Sequence, residues 1–152
     1  MKFRMYKIIT NVLCIVCLVG FTAYLIATWK DIPDQIPAHF NAAGEVDRMG
    51  GKGTILMLPI MSWLLYGMIS FIELFPQMWN TGVKVTEQNK ERVYNICRSM
   101  LLLIKLIIVI DFTFMAACMA KGQALPVWFT PVFLGAVFGS IIVHIVLLFR
   151  SK

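Results

Sequence analysis

The sequence has 152 residues, of which 59% are hydrophobic and only 14% are charged. A soluble domain carries about 25% charged residues, and its apolar residues recur periodically rather than in blocks. The net charge of +6 suits a protein that lies against anionic lipid. Because no compact basic block is present, the charge does not indicate a nucleic-acid partner. The composition therefore indicates an integral membrane protein and excludes an ordinary soluble domain.

Four apolar blocks have the length of about twenty residues that a helix needs to cross a ~30 Å hydrocarbon layer. The first block exceeds the ~7–15 apolar residues of a cleavable signal peptide, so we expect a retained helix. The pattern predicts an all-α integral membrane protein, with residues 1–152 forming a single membrane domain of four transmembrane helices. The predicted spans are residues 8–29, 54–79, 98–120 and 127–149.

Lysine and arginine predict the orientation of the spans. Nine of these residues lie in the two tails or around the connector of residues 80–97, and four lie on the other side. Because positive charge favours the cytoplasmic side, we expect both termini in the cytoplasm. The connector is polar and is predicted to be helical from Thr86 onward, as one helix with the third span. Residues 30–53, here called the lid, are then expected to form an ordered outward loop.

Small side chains occur at two places in the predicted spans. Cys14 and Cys17 share one helix face, which ordinary packing explains better than redox chemistry, and none of the four cysteines lies in an outward loop. In the fourth span, Gly135 and Gly139 have the spacing that lets helices approach closely. This contact is expected either within one bundle or between two copies of a homodimer.

Four ionisable residues fall inside the predicted spans, where a charge costs about 2.5–3.5 kcal/mol and normally faces the bundle interior or water. They are Glu73, Lys105, Asp111 and His144. Counting ~1.5 Å per residue puts Glu73, Lys105 and His144 at one level, roughly 8–10 Å from the cytoplasmic side. We expect a Glu73–Lys105 pair with His144 nearby. Alternatively, Lys105 extends to the cytoplasmic surface and Glu73 lies in a wet interface.

Asp111 lies nearer the middle of the membrane, about level with Thr22, Ser62 and Tyr66 of the neighbouring helices. Its carboxyl is expected to be protonated or strongly hydrogen-bonded. Two roles stay open for it: a structural hydrogen-bond anchor, or a site group beneath the lid.

The lid contains turn chemistry. Pro33 and Pro37 hold the residues before them in extended conformations, and the run 41–44 (NAAG) suits a turn. Ile36 and Phe40 are expected to pin the lid to the bundle. The candidate ligand-binding residues of the lid are His39, Phe40, Asn41, Glu45, Asp47 and Lys52.

Three interpretations of these polar lid groups stay open: metal binding, recognition of a peptide or small ligand, and hydrogen bonding within the lid. His39, Glu45 and Asp47 carry the nitrogen and oxygen atoms of a metal site. No second histidine lies in the lid, and the carboxylates do not alternate as in a calcium loop. No cofactor is indicated.

The stretch 34–52 (DQIPAHFNAAGEVDRMGGK) resembles the signature of a bacterial membrane-domain family of unknown function, roughly I-P-x-H-F-N-x-x-G-x-x-D. This is the N-terminal domain of Sdp-type toxin-immunity membrane proteins, which protect producing cells from a secreted peptide toxin. The span pattern is similar over about residues 8–120. The resemblance implies a multi-pass protein of the bacterial cytoplasmic membrane, and it implies no catalytic residues.

We expect a protein that binds, or protects against, an extracytoplasmic peptide or small ligand in an immunity- or sensor-like role, with membrane lipid around it. The alternative is a small dimeric transporter that couples to ions or protons through Glu73, Lys105 and His144 or Asp111. A membrane-embedded enzyme with a metal site in the lid is a lesser alternative, because no nucleophile and base arrangement supports it.

Overall fold

The computed structural model describes residues 2–151, and Lys152 and the side chain of Lys2, both counted above for orientation, lie outside the description. The four long helices are α1 Lys2–Thr28, α2 Met57–Ile72, α3 Lys90–Ala120 and α4 Phe129–Phe149. Four helical stretches are long and apolar enough to cross a membrane: Phe3–Thr28, Lys52–Ile72, Lys90–Ala120 and Phe129–Phe149. The prediction of four helices that are long and apolar enough to cross a membrane is confirmed. The kind of membrane and the side on which the termini lie stay predictions.

The second span ends earlier than the sequence pattern predicts. α2 ends at Ile72 rather than at residue 79. Pro76 has no N–H to donate and disfavours helical geometry at Phe75, whose φ of −120° and ψ of 61° leave the helical region. The indole N–H of Trp79 then donates to the carbonyl of Ile72 at 2.9 Å and caps the exposed end of α2.

The connector does join the third span, as predicted, although its helix starts at Lys90 rather than at Thr86. Thr86 and Asn89 form a turn just before it. The Asn89 Oδ1 accepts the backbone N–H of Thr86 at 2.7 Å, and the Thr86 Oγ1 accepts that of Asn89 at 3.3 Å. These side chains bond the backbone N–H groups of the turn, so the helix begins only after Asn89.

α3 is the central helix of the bundle, since it packs against α1, α2 and α4 in turn. The core between α1 and α3 includes Cys14, Leu18 and Val109, with Cys17 packed against this cluster. The two cysteines are free, and their place in the cluster agrees with the packing interpretation. Many large apolar side chains remain exposed on the outer faces of the helices, where lipid would cover them.

The lid is not purely a loop, so the all-α prediction is wrong here. Strands β1 Gln35–Phe40 and β2 Val46–Gly51 pair antiparallel and form a hairpin of residues 35–51. The hairpin forms because proline favours extended backbone in β1 and the turn residues reverse the chain. A 3-10 turn, Lys52–Leu56, leads from β2 into α2.

The hairpin is fixed to one end of the bundle. Ile36 and Phe40 anchor it there, as expected. Ile36 is fully buried in a cluster with residues of α1 and α3, and Phe40 packs against the same cluster. At the tip, the backbone N–H of Leu125 donates to the carbonyl of Gly44 at 2.9 Å. Gly44 has φ of 85°, and an added Cβ would lie 2.7 Å from the Leu125 carbonyl oxygen, so only glycine fits.

The glycines of α4 do not mediate a contact within the chain. A Cβ added to Gly135 or Gly139 would meet no heavy atom within 4 Å in the described part of the protein. The expectation of a close helix contact within one bundle is therefore wrong. α4 packs against α3 through other residues, because Ser140, His144 and Leu148 are the buried positions along its middle and end. A contact between two copies stays a prediction.

Candidate functional site

The turn of the hairpin is built by Asn41. Its Oδ1 accepts the backbone N–H groups of Ala43 and Glu45 at 2.9 and 3.0 Å, and its Nδ2 donates to the Glu45 carboxylate at 2.8 Å. The Asn41 backbone N–H also donates to the carbonyl of Glu45 at 2.9 Å. Asn41 and Glu45, both predicted to bind a ligand, therefore have a structural use: they close the turn.

His39 and Asp47 face each other across the two strands. The Nδ1 of His39 lies 2.6 Å from the Oδ1 of Asp47, and their side chains are 60% and 43% exposed. An ionised carboxylate only accepts hydrogen bonds, so Nδ1 is the donor, and in the neutral imidazole Nε2 then carries the lone pair. An imidazole fixed in this way can accept a hydrogen bond from a ligand, act as a base or contribute one ligand to a metal.

A third metal ligand does not join this pair. Glu45 is engaged by Asn41, and no group of three His, Cys, Asp or Glu side chains within residues 2–151 is arranged to hold a metal ion. The structure therefore does not bring together the predicted set of His39, Glu45 and Asp47.

Lys52 lies at the base of the hairpin rather than beside His39. Its Nζ is 3.2 Å from the Asp34 carboxylate and 5.7 Å from the centre of the Trp29 ring. A groove of about 500 Å³ runs below this point between α1 and α2. Its wall is apolar apart from Thr22, whose Oγ1 accepts the indole N–H of Trp63 at 3.3 Å. The volume falls in the ~300–1,000 Å³ range of small-molecule sites.

A second polar cluster lies toward the opposite end of the bundle, around Lys105. Its side chain is fully buried, and its Nζ is 2.6 Å from the Glu73 carboxylate. The same ammonium donates to Asn11 Oδ1 at 2.9 Å and to Ser70 Oγ at 3.1 Å. All three N–H groups are thus used. The structure contains the expected ion pair, and Lys105 does not extend to the surface.

The position of Glu73 differs from the prediction. Because α2 stops at Ile72, Glu73 is the residue that caps the helix rather than one six residues inside it. It is nevertheless buried, and its carboxylate meets the buried ammonium of Lys105. Its Oε1 is buried and has no hydrogen-bond partner among the described residues.

His144 does not join the Glu73–Lys105 pair, so that part of the prediction is wrong. Its Nδ1 lies 2.7 Å from the carbonyl oxygen of Ser140, and its Nε2 lies 3.0 Å from the Oγ of Ser99. The reason is that α4 and α2 pack against different sides of α3. An equal depth in the membrane therefore does not bring His144 to the Glu73–Lys105 pair.

Asp111 also differs from expectation. Its side chain lines a cavity between α3 and α4 rather than meeting Thr22, Ser62 or Tyr66, and those three residues bond elsewhere. No hydrogen bond or ion pair to Asp111 is formed within the described chain, so the interpretation as a structural hydrogen-bond anchor is wrong.

Sequence reasoning missed several residues that complete these sites. Asn11 and Ser70 bind Lys105, the hydroxyl of Tyr66 donates to Asn11 Oδ1 at 3.2 Å, and Ser99 meets His144. Asn11 had a usable signal, because an amide inside an apolar block needs a partner. Serine and tyrosine are common in spans and give no comparable signal.

Comparisons with known proteins concern the first part of the chain. Residues 13–62 match a family model described as a domain of unknown function (DUF1648), and this segment encloses the hairpin. Over 36 residues, the chain is 42% identical to an uncharacterized protein of Archaeoglobus fulgidus. That segment is 24% of this chain and 20% of the relative, so the chain matches about a fifth of the relative's length. No solved structure matches. The chain thus contains a DUF1648 domain at residues 13–62, whereas the bacterial source and the link to toxin immunity stay predictions.

Proposed function

We propose that this is a binding protein of a bacterial cytoplasmic membrane, which uses the outward-facing hairpin to recognise an extracytoplasmic peptide or small ligand. The role is immunity- or sensor-like, as in the Sdp-type proteins that the hairpin sequence resembles. Residues His39 and Asp47 make the polar contacts, and the groove between α1 and α2 takes an apolar part of the ligand.

The observation that carries the proposal is the exposed His39–Asp47 pair on a hairpin that other residues already fix. Ile36 and Phe40 anchor the strands, and Asn41 closes the turn. An exposed cross-strand pair adds only about 0.2–1 kcal/mol to a hairpin. Its contribution to stability is therefore small, whereas a rigid scaffold that presents polar side chains is typical of a binding site.

The open strand edge supports a peptide as the ligand. β1 packs against α3 and against the 3-10 turn, whereas β2 pairs only with β1 among the described residues and its side chains are largely exposed. A free edge offers backbone N–H and C=O groups to an extended peptide, which then adds as a third strand. Asp47 and Met49 of β2 would lie beside such a peptide, and His39 would lie one strand further away.

The test is protection in cells. A strain that lacks the gene is exposed to culture supernatant of its parent, and survival is compared after complementation with the original protein, His39→Ala or Asp47→Asn. We expect the original protein to restore growth and both variants to fail at equal membrane abundance.

Gln35→Ala is the matched control, because Gln35 is exposed on the same strand and its side chain has no partner among the described residues. It should protect as well as the original protein. Full protection by well-expressed His39→Ala and Asp47→Asn proteins would contradict the proposal.

A small ion- or proton-coupled transporter is the second candidate, and the buried Glu73–Lys105 pair favours it. Charged groups inside membrane spans often mark ion and proton pathways. This function predicts pH-dependent flux in proteoliposomes that Glu73→Gln abolishes. A binding protein without transport gives no such flux.

A further inference from the structure

The cavity that contains Asp111 lies between α3 and α4 and has no part in the proposed hairpin site. Its volume is about 220 Å³. The walls are apolar apart from Asp111, and they are rich in aromatic rings. The wall residues other than Asp111 are Ile107, Ile110, Phe114, Trp128, Phe129, Val132, Phe133 and Ala136.

Three of the four aromatic rings in the wall contact one another. The Phe114 and Phe129 rings stack with their centres 5.2 Å apart, and Trp128 lies 5.7 Å from Phe114. The faces of aromatic rings attract cations, with tryptophan the strongest. Because the rings contact one another, their positions are set before any ligand arrives.

Asp111 is unusual in this setting because it has no partner. Asp111 is only 7% exposed, and within residues 2–151, apart from the side chain of Lys2, no group forms a hydrogen bond or ion pair with it. By contrast, the other buried carboxyl group, that of Glu73, has Lys105 beside it. A lone carboxyl group in an apolar cavity is costly unless a partner from outside the chain meets it.

We propose that the cavity binds a small lipophilic ammonium ion, with the cationic nitrogen against the Asp111 carboxylate and the apolar substituent against the aromatic rings. The carboxylate supplies charge complementarity, and the rings supply both apolar surface and cation–π attraction. The volume lies below the ~300 Å³ lower end of ordinary ligand pockets, so the ligand is the size of a benzylammonium ion rather than of a drug.

The experiment compares two probes of the same shape. Benzyltrimethylammonium carries a positive nitrogen, and neopentylbenzene has carbon in its place and no charge. Binding of each to the full-length protein in lipid nanodiscs is measured by equilibrium dialysis. We expect the ammonium probe to bind at least about tenfold more tightly, since the attraction between a carboxylate and a cation in contact with it is worth at least about that factor.

Asp111→Asn has almost the same shape and should lose most of this preference, because only the cation–π attraction of the rings remains. Asp31→Asn is the matched control, because Asp31 is an exposed carboxylate outside the cavity. It should keep the preference. The comparison of probes on the unaltered protein still tests the proposal if Asp111→Asn fails to fold.

Three outcomes would overturn the proposal. Equal binding of the two probes to the original protein would mean that the cavity takes lipid or another neutral molecule without regard to charge. An unchanged preference in Asp111→Asn would place the cation elsewhere. Absence of ammonium binding to the original protein would exclude the site altogether.

Discussion

The protein contains two hydrogen-bonded pairs of ionisable side chains, of the same length and in opposite surroundings. His39 and Asp47 lie 2.6 Å apart on the hairpin, and Lys105 and Glu73 lie 2.6 Å apart inside the bundle. The first pair is 60% and 43% exposed, and the second is 0% and 3% exposed. An exposed pair is worth about 0–1 kcal/mol, whereas breaking a buried pair costs about 3–5 kcal/mol. Distance alone therefore does not say whether a pair serves stability or is free to serve recognition.

The comparison is tested most strongly by removing one partner of the buried pair. Lys105→Met leaves Glu73 buried without a counter-charge, and we expect the free energy of unfolding in detergent to fall by about 3–5 kcal/mol. The double variant Glu73→Gln with Lys105→Met should lose less, because no unpaired charge remains. A denaturant titration of the three proteins measures the difference.

The exposed pair is the control for this experiment. Asp47→Asn should change the free energy of unfolding by less than about 1 kcal/mol. An equally small effect of Lys105→Met would contradict the structural role of the buried pair. If the pair instead acts in transport, Glu73→Gln, Lys105→Met and the double variant all lose flux, whatever their stability.

A substitution at the tip of the hairpin tests how the hairpin is attached to the bundle. Gly44→Ala forces a side chain into positive φ and toward the carbonyl oxygen of Leu125, so we expect a loss of about 1–2 kcal/mol. The hairpin should become accessible to limited proteolysis while the helices stay protected. Gly51→Ala is the matched control in the same hairpin, because Gly51 has φ of −64° and open space around it. Equal proteolysis of the two variants would show that the docking contact is unimportant.

The smallest expected effect on stability belongs to the test of orientation. Ala42→Cys and Gln88→Cys place single thiols at exposed positions on opposite ends of the bundle. A membrane-impermeant maleimide should label Ala42→Cys in intact cells and Gln88→Cys only after permeabilisation, with the original protein as background. The reverse pattern would put the hairpin in the cytoplasm and remove the basis of the proposed function.

The outline of the fold could be predicted from the sequence, because the spans depend on a local property. A block of about twenty apolar residues is transferred into lipid whatever its neighbours are. The anchoring by Ile36 and Phe40 also followed from the sequence, since these residues are the apolar positions between turn signals. The end of α2 was predicted wrongly, at the interfacial Trp79, because the effect of Pro76 on the helix was not taken into account.

The candidate sites were predicted less completely. The Glu73–Lys105 pair was anticipated from depth, but the same argument failed for His144. Depth gives the height of a residue along its helix and says nothing about the direction in which its side chain points. That direction depends on how each helix is rotated against α3.

The sequence by itself determined that four segments are long and apolar enough to cross a membrane and that residues 41–44 turn the chain. Both follow from the preferences of neighbouring residues. Only the tertiary structure decided that Asn41 and Glu45 close the turn, that His144 meets Ser99, and that Asp111 faces an aromatic cavity without a partner. These outcomes depend on helix rotation and contact between distant segments, which the local order of residues does not fix.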